Sequence, residues 1–359
     1  MLPLCTLYGC TIYSFRGCLL CLFFAEAVEG PERQTGGSEA PTFLYVDNRD
    51  ILLQVWCLPV LKALGSKAEN KKEPKGMKSI IKYRGGKSKE IQNFIQFIPN
   101  DYDRYVEPFA GGAALYFYLE PNLALINDIN TRLIDFYLAV QNNYELLKQE
   151  LTTLEQTYRT NQTNYEQLKA IASNSQYVEN ENEALYYRLR DMYNDKIEKA
   201  YLDATLYYFI NKTAYSGMLR FNARGEYNVP FGRYKNFNTH IVSDEHHELL
   251  QRTEITNVDY SEVFNRCTPN DFVFLDPPYD CIFTDYGNIE QDGFSEDDHR
   301  RLTQDFRNLA TRTLMVIGKT SLTEQLYRPF VRAEYSKRYA VNIRNRFKSE
   351  STHLIVTNY

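Results

Sequence analysis

Asp276, Pro277, Pro278 and Tyr279 stand in a row directly after the apolar run Phe272-Val273-Phe274-Leu275. A carboxylate, a fixed backbone carbonyl and an aromatic face can grip an exocyclic amino group while stacking on its ring. The order of residue types also says how they are held. Four consecutive apolar residues read as a strand buried on both faces, as in a parallel sheet. Pro277 has no N–H to give a ladder, so the strand stops there. Two prolines stiffen the corner at the carboxyl end, where open α/β sheets keep their ligand crevices. A bland alternative is a strand that ends in a polar turn.

Other stretches hold groups that complement this one. Lys82-Tyr83-Arg84-Gly85-Gly86-Lys87-Ser88 is a cationic loop ahead of a helical pattern at Ile91, Phe94, Ile95 and Ile98, which ends at Pro99. It lacks the first glycine of a nucleotide P-loop, so that reading is rejected. A loop suited to a carboxylate or other anion at a helix N-terminus remains. Arg104 to Leu115 reads as strand, glycine-rich turn at Glu107-Pro108-Phe109-Ala110-Gly111-Gly112, then helix. Glycines there let a ligand approach backbone closely. Asp128 ends the short apolar strand Leu123–Ile126. An acid at that place grips ribose hydroxyls in dinucleotide-type folds, although Asp128 or Asn130 would also serve as a helix cap. Asp259 lies in a polar turn before the Phe272 strand, as a partner for an adenine amino group or as a plain loop acid.

From Asn211 to Lys235, two extended runs flank Ala223-Arg224-Gly225, a hairpin signal. Tyr215, Arg220, Arg224, Arg233 and Lys235 interleave aromatic and basic groups. A two-stranded ribbon enters the DNA major groove, where Arg reads guanine bidentately. An ordinary surface hairpin is the rival. Near the C-terminus, Arg328, Arg332, Lys337, Arg338, Arg344, Arg346 and Lys348 face Glu334 alone, a cluster for a phosphate backbone or a solvated basic face. Ser295-Glu296-Asp297-Asp298 reads as a capping box. His299 on that helix reads as an exposed residue and not a catalyst.

The 359 residues suffice for a full α/β domain and a smaller one, and a formal charge of −5 excludes a molecule that binds nucleic acid by net charge. Thr313–Ile317 and His353–Thr357 read as further strands, and Asp280–Gly293 as a mobile loop. Residues 135–210 carry helical patterns such as Tyr137-Leu138-Val140 and Leu146-Leu147-Leu151-Leu154, whose Tyr/Leu stripe reads as core, with no catalytic constellation. Five of seven cysteines (Cys5, Cys10, Cys18, Cys21, Cys57) lie in the first 57 residues. Cys18 and Cys21 have no second pair at zinc spacing, so no metal site is expected. The low usage beyond them fits a reducing compartment. We read residues 1–76 as a poorly ordered extension, an upstream translation not native to the mature protein. A targeting or interaction appendage is the alternative. Leu19–Ala25 is too short to span a membrane.

Taken in order, the lysine loop, glycine-rich turn, acidic strand end, long insert with hairpin and Asp276-Pro277-Pro278-Tyr279 resemble the Dam-type (D12 class) DNA adenine-N6 methyltransferases. The resemblance runs from Met77 to Tyr359 and includes Asn228-Val229-Pro230-Phe231-Gly232-Arg233-Tyr234 and the closing Leu354–Tyr359. One departure is Ser216, where the family has Asn after the aromatic residue. The resemblance implies an α/β, Rossmann-like S-adenosylmethionine-dependent sheet formed by 77–134 and 254–359. A helical target-recognition insert at 135–253 would carry the DNA-reading hairpin 211–235. It implies that Tyr83 and Lys87 approach S-adenosylmethionine and that the turn containing Glu107, Phe109, Gly111 and Gly112 lies beneath its methionine part. Asp128 would take the ribose and Asp259 the adenine. Tyr215, Ser216, Met218, Arg220, Arg224, Pro230, Arg233 and Lys235 would meet duplex DNA, with Arg220 reading a guanine of GATC. Asp276, Pro277 and Tyr279 would be catalytic. An enzyme acting as a monomer in the cytoplasm, at the nucleoid, without metal or membrane, is the expectation. The rivals are cytosine N4, RNA adenine or a protein amide as substrate, or a non-catalytic DNA-binding protein. Restriction-modification, repair and replication control remain open as roles.

Overall fold

The computed structural model describes residues 76–173, 176–278, 294–338 and 350–359, together with three short N-terminal strands. Those strands, Thr6–Leu7 (β1), Cys10–Phe15 (β2) and Cys18–Leu22 (β3), pair antiparallel within a unit of their own. The remainder of residues 1–75 lies outside the described residues, as do Tyr279, the loop Asp280–Gly293, and Arg344, Arg346 and Lys348.

The second unit is built on a seven-stranded sheet. Its strands are Arg104–Glu107 (β4), Ala124–Asn127 (β5), Thr253–Thr256 (β6), Asp271–Leu275 (β7), Arg312–Gly318 (β8), Val331–Arg338 (β9) and Glu350–Thr357 (β10), in the order β6-β5-β4-β7-β8-β10-β9. The first five are parallel, and β10 runs antiparallel to both β8 and β9. The chain leaves β4 towards β5 and β6, then returns to β7 on the other side. That reversal makes the carboxyl ends of β4 and β7 the switch point, where a crevice must open.

Side chains alternate across the sheet. Tyr105, Phe272, Phe274, Leu314 and Val316 enter one core, and Val106, Val273, Leu275, Met315 and Ile317 enter the other. Fully burying a side chain such as Phe272 or Phe274 contributes roughly 1.5–3 kcal/mol, enough to fix the strand register. The strand β7 ends at Leu275, directly before Asp276-Pro277-Pro278.

The helices are Ile91–Phe94 (α1), Ala114–Leu119 (α2), Thr131–Asn142 (α3), Tyr144–Ile171 (α4), Glu181–Tyr193 (α5), Asp203–Thr213 (α6), Asp244–Gln251 (α7), Tyr260–Phe264 (α8), Glu296–Asn308 (α9) and Ser321–Tyr327 (α10). No helix among the described residues is long and apolar enough to cross a membrane. Leu147, Leu151, Leu154 and Tyr158 on α4, Tyr186 on α5, and Tyr208 and Phe209 on α6 are buried in the same core as one face of the sheet. Leu146, expected in that stripe, is instead exposed, because it lies off the i, i+4, i+7 face that Leu147 shares with Leu151 and Leu154.

The capping box at Ser295 is present, with Ser295 and Asp298 satisfying each other's backbone N–H. Two readings are corrected. His299 is fully buried rather than exposed, because the turn after the cap directs it inward, with its ring edge-on to Phe294 at 4.7 Å. The basic cluster does not present every member to solvent. Lys337 turns inward to the buried Glu90, and Arg332 bonds Thr357 and the Tyr359 carbonyl. On an edge strand, alternate side chains face opposite sides, so a basic run cannot all point one way.

Candidate active site and target-reading surface

The crevice at the ends of β4 and β7 gathers the groups that the sequence scattered. Asp276, Pro277, Glu107, Phe109, Gly111, Gly112, Asp128, Asp259, Tyr83 and Lys87 all line it. At its centre the Lys87 ammonium donates to Asp276 Oδ1 at 2.5 Å and to the Gly85 carbonyl at 3.1 Å. Lys87 is 2% exposed and Asp276 20%. Burial holds the Asp276 carboxyl above the usual carboxylate range, and the Lys87 charge and hydrogen bond offset only part of that rise. A buried carboxylate stays ionised only with such a partner.

Beside it, Glu107 at the end of β4 is buried and accepts a hydrogen bond from the Tyr105 hydroxyl at 2.9 Å. Burial holds its carboxyl well above the usual range, and the charge of Asp276 adds to this. The turn that follows is left-handed at Gly111, with φ 48°. A Cβ there would sit 2.8 Å from the Tyr83 ring. Glycine is therefore required both by backbone sterics and by the ring packed on it. Asp128 braces this turn, because its Oδ2 accepts the Gly111 N–H at 2.8 Å and its Oδ1 accepts the Asn130 N–H at 2.9 Å. The helix cap of α3 is Asn130, whose side chain accepts from Leu133 N at 3.3 Å.

Asp259 caps α8 and pairs with Arg301 at 2.5 Å, all through Oδ1. Phe109 leans on Tyr260 at 5.2 Å and meets Phe294 edge-on at 6.0 Å, making an aromatic wall at this end of the crevice. Sequence reasoning missed Phe294 and Tyr260. Neither sits in a motif, and only the fold brings them to Phe109.

The 211–235 segment is a hairpin without a continuous ladder. Only Ala214↔Phe231 and Phe221↔Tyr227 bridge it. The Asn222 side chain takes the N–H groups of Arg224 and Glu226, and Pro230 has none to offer. Tyr215, Ser216, Arg220, Arg224, Pro230, Arg233 and Lys235 are exposed, and Met218 is half-buried. Ser216 adopts φ 56°, a left-handed conformation that Asn takes more readily than Ser. Arg220 is fixed from one side, its Nε donating to Asn228 Oδ1 at 2.8 Å. Arg233 and Lys235 pair with Glu183 and Glu166 of the insert helices, at 3.4 and 3.3 Å. Two further basic residues, to which the sequence reading assigned no contact with DNA, stand here. Lys82 lies 4.6 Å over the Tyr234 ring, and Lys212 lies 5.0 Å over the Tyr208 ring.

Comparison with known proteins agrees with this arrangement. Residues 83–341 match the D12 class N6 adenine-specific DNA methyltransferase family. The chain is similar to the Type II methyltransferase M.CviBI of Paramecium bursaria Chlorella virus NC1A, with 34% identity over 304 residues that cover 79% of this chain and 100% of the relative. It is also similar to the Retron Ec67 DNA adenine methylase of Escherichia coli, 26% identical over 287 residues, covering 79% of this chain and 92% of the relative. A DNA adenine methylase of Vibrio cholerae serotype O1 is 26% identical over 261 residues, covering 71% and 86%. The chain belongs to the D12 class of N6 adenine-specific DNA methyltransferases.

Proposed function

We propose that this chain methylates N6 of an adenine turned out of duplex DNA, with S-adenosylmethionine as donor and GATC as the sequence read. The observation that carries the reading is that Asp276-Pro277 and the glycine-rich turn open into one crevice.

The donor set suits S-adenosylmethionine. The Gly111–Gly112 backbone and Lys87 offer a cradle for an amino-acid end, Asp128 a carboxylate for ribose, and Phe109 with Phe294 an apolar wall for a base. Asp259, on the crevice lining, is assigned the adenine amino group. When bound, S-adenosylmethionine supplies an electrophilic methyl on a sulfonium centre.

The protein's own work falls on the acceptor. A stacked adenine is unreachable, and turning it out costs a few kcal/mol. Tyr215, exposed at the hairpin start, fills the gap or stacks on a neighbouring base. Tyr279, next after Pro278 in the chain, is assigned the stacking face on sequence grounds. Asp276 and the Pro277 carbonyl accept the two N6 hydrogens. Adenine N6 is a poor nucleophile because its lone pair is conjugated with the ring. Two fixed acceptors favour a pyramidal nitrogen with that pair directed outward. Positive charge developing on N6 is stabilised by the Asp276 carboxylate, whose ionised form the Lys87 ammonium favours. Positioning supplies much of the rate. Asp276 thus acts as an acceptor that shapes a nucleophile and need not be a general base during transfer. N6 gains the methyl as the carbon–sulfur bond breaks, and the methylated nitrogen then gives up one of its two protons through Asp276 to solvent.

The test is to treat unmethylated genomic DNA with the purified protein and S-adenosylmethionine, then sequence modified bases. N6-methyladenine within one short motif is expected, and GATC is the expected motif. Modified cytosine, or no modified base, would overturn the reading. Adenines in another motif would overturn only GATC.

A further inference from the structure

Residues Lys78–Lys82 form a strap between the recognition insert and the crevice, and the insert grips it at three points. His246 Nε2 on α7 donates to the Lys78 carbonyl at 2.8 Å. Lys212 Nζ on α6 donates to the Ile80 carbonyl at 2.5 Å. The third grip is two-ended. Asn211 Nδ2 donates to the Lys82 carbonyl at 2.7 Å, and the Lys82 N–H donates to Asn211 Oδ1 at 2.9 Å. Asn211 is fully buried.

What lies on either side of this amide gives it meaning. Asn211 is on the last turn of α6, four residues before Tyr215, where the hairpin begins. Gly217 of the hairpin packs so closely on Lys82 that an added Cβ would meet its side chain at 3.1 Å. On the other side, Lys82 is followed by Tyr83, whose ring lies against Gly111 and Gly112, and then by Lys87, which pairs with Asp276. One buried amide therefore joins the start of the hairpin to the loop that lines the crevice.

An apolar contact at this place would hold the two elements together yet allow them to slide. An amide bonded to both the N–H and the C=O of one residue fixes position along the chain, since sliding leaves two buried polar groups unmatched. Movement of the α6 end must therefore carry Lys82 with it. We propose that Asn211 is a positioning residue that couples target reading by the 215–235 hairpin to the shape of the crevice, through the Lys82–Lys87 loop. This rests on the methyltransferase reading above. It adds that engagement of the target and binding of the cofactor are not independent. Coupling of this kind is reciprocal, so either ligand reports on it.

The experiment is calorimetric titration with S-adenosylhomocysteine, first on the protein alone and then with a saturating duplex that carries the motif found by sequencing. For the wild-type chain the duplex is expected to tighten S-adenosylhomocysteine binding by about fivefold or more, the lower end of ordinary coupling. In Asn211→Ala, each ligand alone is expected to bind within about threefold of wild type, while the tightening falls to about onefold. Asn211→Asp keeps the shape and the acceptor for the Lys82 N–H but loses the donor to the Lys82 carbonyl. Its tightening is expected to be intermediate, and it decides the question if the alanine variant melts early. A wild-type chain with no tightening, or variants that keep it in full, would overturn the proposal. So would loss of both single-ligand affinities with the tightening unchanged, which is what mere structural support gives. A wild-type chain that binds no S-adenosylhomocysteine sinks the methyltransferase reading itself, and this proposal with it.

Discussion

At the scale of single residues, the proposed roles of Asp276 and Arg220 separate catalysis from recognition. On the proposed reading, Asp276→Ala should abolish methylation while leaving duplex affinity within about tenfold, because Asp276 is assigned only the target adenine and the rest of the duplex is assigned to the hairpin. Methyl transfer from labelled S-adenosylmethionine and a gel-shift titration check both halves. Retained turnover would remove Asp276 from its role. Arg220→Ala should lower discrimination at one base pair by ~1–3 kcal/mol. That is measured by competing duplexes with single substitutions. A uniform loss across sequences would make Arg220 a phosphate contact. The Asn228 bond to its Nε gives Arg220 a fixed approach, as specific reading requires. At this scale the sequence was informative about identity and silent about pairing. Asp276 was legible because prolines and an apolar run define its place within eight residues. Its bond to Lys87 spans 189 positions, and no local pattern reports it.

At the scale of elements, polar contacts fix how secondary structures meet around the crevice. Glu90, at the start of α1, is buried and takes Lys337 and the Tyr335 hydroxyl from β9, with His353 Nδ1 of β10 at 3.3 Å. Burial pushes its carboxyl up, but His353, Lys87, Lys337 and Tyr335 outweigh this and bring it from 4.5 down to about 2. A carboxyl lowered by folding stabilises the fold fully above its unfolded value and loses that contribution as pH falls through the folded value. At 1.36 kcal/mol per unit the contribution is on the order of 3 kcal/mol. Glu90→Gln should therefore be destabilised at neutral pH, and its gap to wild type should close as pH falls from 4.5 towards 2. Denaturant titrations across that range measure the gap. A constant gap would show that the charge of Glu90 contributes nothing. The sequence announced the elements well, including the capping box at Ser295 and the strands at Phe272, Thr313 and His353. It misjudged those whose surroundings are tertiary. His299 is buried, and Lys337 serves Glu90 instead of solvent.

Across the second unit, one hydrophobic core joins the insert helices to a face of the sheet. Phe136 on α3 stacks on Tyr208 of α6 with ring centres 5.9 Å apart, at the join between them. Phe136→Ala should cost about 3–5 kcal/mol, and the unit spanning residues 72–359 should still melt in one transition at a lower temperature. Differential scanning calorimetry reads this directly. Separation into two transitions would mean that insert and sheet fold independently. A shared core also gives physical grounds for communication between hairpin and crevice, since packed elements move as bodies and do not deform continuously.

The sequence by itself determined the residue types and the local geometry. A double proline ends a strand, glycines open a turn, and apolar runs bury strands on both faces. These are properties of a few consecutive residues, set by backbone sterics and burial. Tertiary structure alone decided which charges meet. It placed Lys87 on Asp276, gave both Asp128 oxygens to backbone N–H groups around the turn, and brought Phe294 to Phe109. Above all it set Asn211 against Lys82. Those pairings depend on how strands order themselves in the sheet, and that order is settled by the packing of whole elements and not by spacing along the chain.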